Sequence, residues 1–133
     1  MKRVWINGCF DILHRGHYEM FAYAYQIGDE VRVGIDSDNK VKKDKGKDRP
    51  YNNIDDRLFA LNSLKYIDYI VTFDSREELK DKIKRYQPEI LLVGSDWKGK
   101  KIVGGEYAKE IVYFDRIGNY STTSILEWKK YQK

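Results

Sequence analysis

At 133 residues, 41% hydrophobic and 35% charged, the chain has the size and apolar content of one domain closing a single core. Its formal charge of +4, from 25 Lys+Arg against 21 Asp+Glu, and the bunching of lysines in KVKKDKGK, Lys40 to Lys47, favour a local anionic ligand over a long nucleic-acid track. The one cysteine, Cys9, excludes an intramolecular disulfide; with no signal-peptide pattern and no apolar run long enough to span a bilayer, the expectation is a cytoplasmic protein with no membrane partner.

In chain order, KRVWING (Lys2 to Gly8) is β-rich and ends in glycine, and HYEMFAYAYQIGD places Met20, Phe21, Ala24 and Tyr25 on one side of a helix closed by Gly28. EVRVGIDSD alternates Val31, Val33 and Ile35 as a second strand, then breaks into a lysine-rich stretch up to Arg49-Pro50 that is expected to be a mobile loop. NIDDRLFALNS carries Ile54, Leu58 and Leu61 at helical spacing behind an Asn52 or Asn53 cap, and YIDYIVTFD follows as a strand. SREELKDKIKRYQ predicts an amphipathic helix with Leu79 and Ile83 inward and a Ser75/Glu78 capping box, and EILLVG a strand buried on both faces. After the glycine-bearing SDWKGKKIVGG and a short turn in EYAKE, IVYFD is the last strand and STTSILEWKKYQK a terminal helix.

Strands alternating with helices imply parallel strands, right-handed crossovers and a Rossmann-like doubly wound parallel sheet of about five strands, helices on both faces, in a single α/β domain over residues 1–133. Ligands of such sheets bind beyond the carboxyl ends of the strands, where strand order reverses. The loops that fall there hold Gly8 to His17, Asp36 to Arg49, Gly94 to Lys100 and Arg116 to Thr123. They gather His14, His17, several lysines, Arg116 and the hydroxyls of Ser121 to Thr123, with Arg57 joining if its helix points inward, and helix N-termini add backbone donors. That set suits a polyphosphate, whose charge during in-line attack such groups stabilise.

Each feature also has a plain structural reading. An isolated His-x-x-His is as often structural as functional, a lysine run is usually a solvated loop, STT is usually a helix cap, and YEMFAYAY is usually core. A zinc site is disfavoured because no further His or Cys cluster accompanies the two histidines. Trp97, in a polar glycine-flanked loop, is less easily explained by packing; it could stack on a base or cover a substrate.

Together the segments carry a family likeness over nearly the whole chain. GCFDILHRGH resembles the HxGH signature of the cytidylyltransferase-like nucleotidyltransferases, RPYNNIDDR their arginine-bearing central segment, and GNYSTTSILE their C-terminal Ser-Thr-Thr motif. The resemblance implies a homodimeric enzyme that joins a nucleoside triphosphate, accompanied by Mg2+, to a phosphorylated small molecule with release of pyrophosphate. By position it implies that His14 and His17 contact the triphosphate and stabilise the transition state, that Gly8, Cys9, Phe10, Asp11 and Gly16 shape the pocket, and that Lys45, helped by Lys42, reaches a phosphate. It implies phosphate binding by Arg57 and Arg116, distal-phosphate binding by Ser121, Thr122 and Thr123, and a nucleotide or substrate wall at Asp96 and Trp97. No metal ligands on the protein and no nucleic-acid partner are implied.

Two branches are resembled at once. SDWKGK and Arg116, five residues before Ser121, are similar to glycerol-3-phosphate cytidylyltransferases of teichoic-acid synthesis, which use CTP and a phosphorylated polyol. KGKDRPYN and IVGGEYAKE are similar to the adenylyltransferase domain that makes ADP-heptose from ATP and a sugar phosphate, and Lys65 stands where the glycerol enzymes have a second arginine. The pocket residues tilt the expectation to CTP and glycerol 3-phosphate. A nucleotide-binding regulator without turnover is the competing class.

Overall fold

Five strands, β1 (Arg3–Gly8), β2 (Glu30–Asp36), β3 (Tyr69–Phe73), β4 (Ile90–Gly94) and β5 (Glu110–Phe114), form one fully parallel sheet in the order β3-β2-β1-β4-β5. The computed structural model describes residues 1–115, and the expected terminal helix from Ser121 lies outside them. Strand order runs outward from β1 through β2 to β3, then returns to the other side of β1 with β4. The reversal therefore falls between β1 and β4, and their carboxyl ends, Gly8 and Gly94, flank the crevice.

Period-two alternation sends the strands' side chains to two cores. On one face Val4, Ile6, Val31, Val33, Ile35, Ile90 and Leu92 pack against α1 (Arg15–Ile27) and α3 (Ile54–Asn62), through Phe21, Ala24 and Leu61. On the other, Trp5, Phe73 and Leu91 meet Leu79, Ile83 and Tyr86 of the helix Arg76–Tyr86, which is α4. Two glycines permit close approach: a Cβ at Gly34 would stand 2.5 Å from Trp5 Cζ2, and one at Gly28 would stand 2.4 Å from Val4 Cγ2. Gly28 does cap α1, but with extended backbone (φ −129°), so its role there is space.

Local signals explain the helix starts. Asn53 Oδ1 accepts from Asp56 N at 2.9 Å to cap α3, and Ser75 Oγ accepts from Glu78 N at 3.1 Å to cap α4. Within α1 the inward face differs from expectation: Phe21 and Ala24 are buried and Met20, Tyr23 and Ile27 pack beside them, while Tyr25 is 56% exposed and meets Tyr66 edge-on.

The larger correction concerns the lysine-rich stretch, which is a helix, α2 (Asp38–Lys45), with only residues 46–50 beyond it as a connection. Ser37 caps it by accepting from Lys40 N, Asp38 sits in its first turn, and Lys42, Lys43 and Lys45 sit in its last, all matched to the helix dipole. Val41 is its one buried side chain, and Lys40 bonds Asp36 at 3.2 Å and Asp44 at 2.7 Å. Those contacts substitute for an apolar stripe that the segment lacks.

Candidate active site at the β1 to α1 turn

Beyond Gly8 the chain turns sharply. Phe10 adopts φ 49°, a left-handed conformation costly for a residue with a Cβ, by about 1–3 kcal/mol. Burial of its ring offsets that strain: it lies 5.3 Å from Phe21 and edge-on to His17 at 5.4 Å, and is 6% exposed. Gly8 leaves the space, since a Cβ there would stand 3.1 Å from Phe10 Cζ. The turn delivers residues 9–14 to the start of α1.

That start is capped by histidines. His14 is the N-cap residue, its Nδ1 accepting from Gly16 N at 3.1 Å, while His17 Nδ1 accepts from His14 N at 3.2 Å. The pair thus builds a reciprocal capping box, a task more often done by Ser/Thr and Glu/Gln. The rings stack, centroids 3.9 Å apart at 29°. A nitrogen that accepts holds no proton, so each neutral ring carries its proton on Nε2. For His17, burial and then neighbouring His14 lower the pKa from 6.5 to about 4. A Cβ at Gly16 would press within 3.0 Å of His14 Cε1, which accounts for glycine between them. The first turns of α2, α3 and α4 contain carboxylates, but that of α1 contains none, leaving its positive end for an anionic ligand.

Asp11 and Arg57 have been given other work than ligand binding. The Asp11 side chain is fully buried; one oxygen accepts from Tyr51 N at 2.8 Å and Arg49 Nε at 3.3 Å, the other from Asn52 N at 2.8 Å. Asn52 Nδ2 in turn donates to Asp11 O at 2.7 Å. Arg57 is 1% exposed and donates to Asn52 O, Cys9 O, Asp36 O and Asp38 Oδ1. The expectation that Arg57 binds a phosphate is therefore corrected: its guanidinium ties the carboxyl ends of β1 and β2 to α2 and α3, and is sealed from solvent. Asp11 latches residues 49–52 to the turn.

Lys45 is the exposed last residue of α2. Burial raises the Cys9 pKa, and the charge of Lys45, then of Arg57, opposes the rise. Lys42 lies one turn earlier on α2 and is exposed. Across the crevice, Asp96 and Trp97 occupy a 3-10 turn directly after β4. Asp96 Oδ1 folds back over Gly94, where a Cβ would meet it at 2.6 Å, and Trp97 is 48% exposed with Lys100 Nζ 5.7 Å above its ring. Lys65 is elsewhere: it precedes β3 at the amino end of the sheet, with its ammonium 5.3 Å above Tyr66. Arg116, Ser121, Thr122 and Thr123 lie outside the described residues. Two residues given no role in the site from the sequence, Arg49, named only as the end of the lysine-rich stretch, and Asn52, named only as an alternative cap for α3, bond Asp11 beside the turn; RPYNN was visible as a motif, but its attachment to Asp11 spans some 40 positions.

The cytidylyltransferase-like family model matches residues 5–127. Among curated relatives, the bifunctional protein HldE of Campylobacter concisus is 44% identical over 126 residues, covering 95% of this chain and 26% of that protein. The bifunctional protein HldE of Nitratiruptor sp. is 47% identical over 126 residues, 93% of this chain and 27% of its own. The chain thus spans about a quarter of the length of these relatives. Among solved structures, the lipopolysaccharide core biosynthesis protein of Thermoplasma volcanium superposes with a TM-score of 0.69 at 25% identity, covering 91% of this chain and 99% of that one. The pantoate-beta-alanine ligase of Francisella tularensis shares the fold at 16% identity, with a TM-score of 0.59 over 97% of this chain and 69% of its own.

Proposed function

The chain belongs to the cytidylyltransferase-like family, and from that premise we propose that it transfers a nucleoside monophosphate from a nucleoside triphosphate to a phosphorylated small molecule. An oxygen of the acceptor's phosphate attacks the α-phosphorus in line, the bond to the α,β-bridging oxygen breaks, and pyrophosphate leaves with that electron pair. The observation that carries the reading is the histidine cap: two rings whose Nδ1 atoms are engaged by the backbone hold Nε2 protons at a carboxylate-free helix N-terminus beside the strand-order reversal. Such fixed donors stabilise charge building on phosphoryl oxygens without reorganising. Lys45, with Lys42 behind it, adds positive charge; Asp96 and Trp97 line the nucleotide or acceptor side; Arg116 and Ser121 to Thr123 complete the phosphate set. Magnesium enters with the triphosphate as part of that substrate, held through phosphate oxygens and its own waters. Among the described residues no three His, Cys, Asp or Glu side chains gather into a protein cage for it.

For the substrates, the HldE relatives weigh toward adenylyl transfer from ATP to a sugar 1-phosphate such as heptose 1-phosphate, in line with the likeness in KGKDRPYN and IVGGEYAKE. The tilt to CTP and glycerol 3-phosphate gains no support from them, and Lys65 lies at the amino end of the sheet, opposite the carboxyl ends where the proposed site sits. Pyrophosphate release, with ATP or CTP paired against heptose 1-phosphate or glycerol 3-phosphate, tests both levels. Turnover with ATP and the sugar phosphate is expected. Turnover only with CTP and glycerol 3-phosphate reverses the substrate choice, and silence in all four pairs overturns the transferase reading.

A further inference from the structure

Arg49 has no assigned role, yet its guanidinium is only partly used. Nε donates to Asp11 at 3.3 Å, while Nη2 is buried and without a hydrogen-bond partner. Two nitrogens on one side of a guanidinium usually grip both oxygens of a carboxylate. Here the second Asp11 oxygen accepts from Asn52 N, and the first accepts from Tyr51 N as well as from Arg49. Asp11 is therefore well supplied with donors from the backbone alone, and Arg49 is held by it without being satisfied by it.

A buried donor left unbonded is unfavourable, and native structures rarely keep one without a use for it. Arg49 is not loosely placed either: its side chain is 16% exposed, and Tyr51 and Asn52 on its C-terminal side are pinned to the same carboxylate. Asp11 lies three residues before His14, so this frame joins the histidine-capped turn directly. Restraint and spare donors coincide on a side chain bonded to Asp11, three residues before the histidine cap that the proposed reaction uses.

We propose that Arg49 is a substrate-binding residue of this site, held at Nε by Asp11 and donating from its remaining nitrogens to a phosphoryl oxygen of the triphosphate or of the acceptor phosphate. The inference deepens the transferase reading and rests on it for the identity of the substrates. Only an arginine serves: lysine, a point charge, holds Asp11 or the ligand but does not bridge both.

The test is calorimetric titration of inorganic tripolyphosphate into the wild type, Arg49→Lys and Arg49→Gln, with thermal melts and separate KM values for each substrate. The expected result is tripolyphosphate binding weakened tenfold or more in Arg49→Gln, and several-fold in Arg49→Lys with the melting temperature kept. A normal tripolyphosphate affinity with KM raised for the acceptor alone also supports the role and assigns it to the acceptor phosphate. Unchanged affinity and KM in Arg49→Lys, with Arg49→Gln weakened only as its melting falls, overturns it and leaves Arg49 a structural latch. A wild type that binds neither tripolyphosphate nor acceptor overturns it as well. Failure of the transferase reading is separate: no pyrophosphate release by the wild type, with the Arg49-dependent difference in tripolyphosphate binding still present.

Discussion

His14 and His17 are stacked at 3.9 Å with each Nδ1 accepting a backbone N–H, so one pair of rings both caps α1 and fixes the tautomer offered to a ligand. Replacing His17 by alanine removes one half of the capping box and one Nε2 donor. The cap loss costs about 1 kcal/mol. The donor loss is expected to lower kcat by about 10²–10³-fold, because a preorganised contact to developing charge acts on rate first. Pyrophosphate release checks the rate and a melt checks the fold; a variant with near-normal kcat removes His17 from the machinery.

His17 also makes stability depend on pH. Its pKa falls from 6.5 to about 4 on folding, through burial and then His14, so between those values the unfolded chain binds more protons than the folded one. Stability therefore rises with pH across that window: the contribution is fully present above about pH 6.5 and is lost progressively as pH falls toward 4. Denaturant titrations from pH 4 to 7 should show wild-type stability falling on the acid side more steeply than that of His17→Asn, which keeps an acceptor for His14 N but does not titrate. Parallel profiles would contradict the assignment.

Arg57 is expected to respond as a structural residue. Its removal strands the carbonyls of Cys9 and Asp36 and leaves Asp38 without its ion pair at 2.6 Å. Breaking a buried, hydrogen-bonded charge in this way costs about 3–5 kcal/mol. Arg57→Ala should lose that much in a denaturant melt, and Arg57→Lys a large part of it, because an ammonium does not span four acceptors. A variant that melts normally and shows only a raised KM would restore Arg57 as a ligand residue.

These residues mark what the sequence made legible. The alternation of strand and helix, the Asn53 and Ser75 caps and the buried β4 are written in local periodicity and local hydrogen bonding, which short windows contain. The placing of the candidate residues after the carboxyl ends of β1, β2 and β4 follows from topology and was equally legible. Helix α2 was not, because one buried residue, Val41, gives no stripe, and its hold comes from a serine cap and from Lys40 between two aspartates. The bonding partners of Asp11, Arg49 and Arg57 were hidden for a different reason. Whether an arginine faces the crevice or turns back to carbonyls 21 and 48 positions away is decided by tertiary contacts that spacing does not encode.

Lys45 allows the site's electrostatics to be separated from its fold. The residue is exposed at the end of α2, and the helix is anchored by other side chains, so Lys45→Ala should change stability by less than about 0.5 kcal/mol. If its ammonium meets charge that grows in the transition state, kcat falls by about 10²-fold with KM little changed; a contact made equally in the ground state raises KM instead. Lys42→Ala should do less of either. A second readout is independent of turnover. Lys45 is the foremost influence lowering the Cys9 pKa against the upward push of burial. Removing its charge lets that pKa rise further, reduces the thiolate fraction and slows alkylation of the chain's one cysteine at pH 8. Slower alkylation together with lost kcat places the Lys45 charge at the turn that carries the histidines. Unaltered alkylation would show that the ammonium stands away from that turn, and any loss of activity would then belong to a different arrangement of α2.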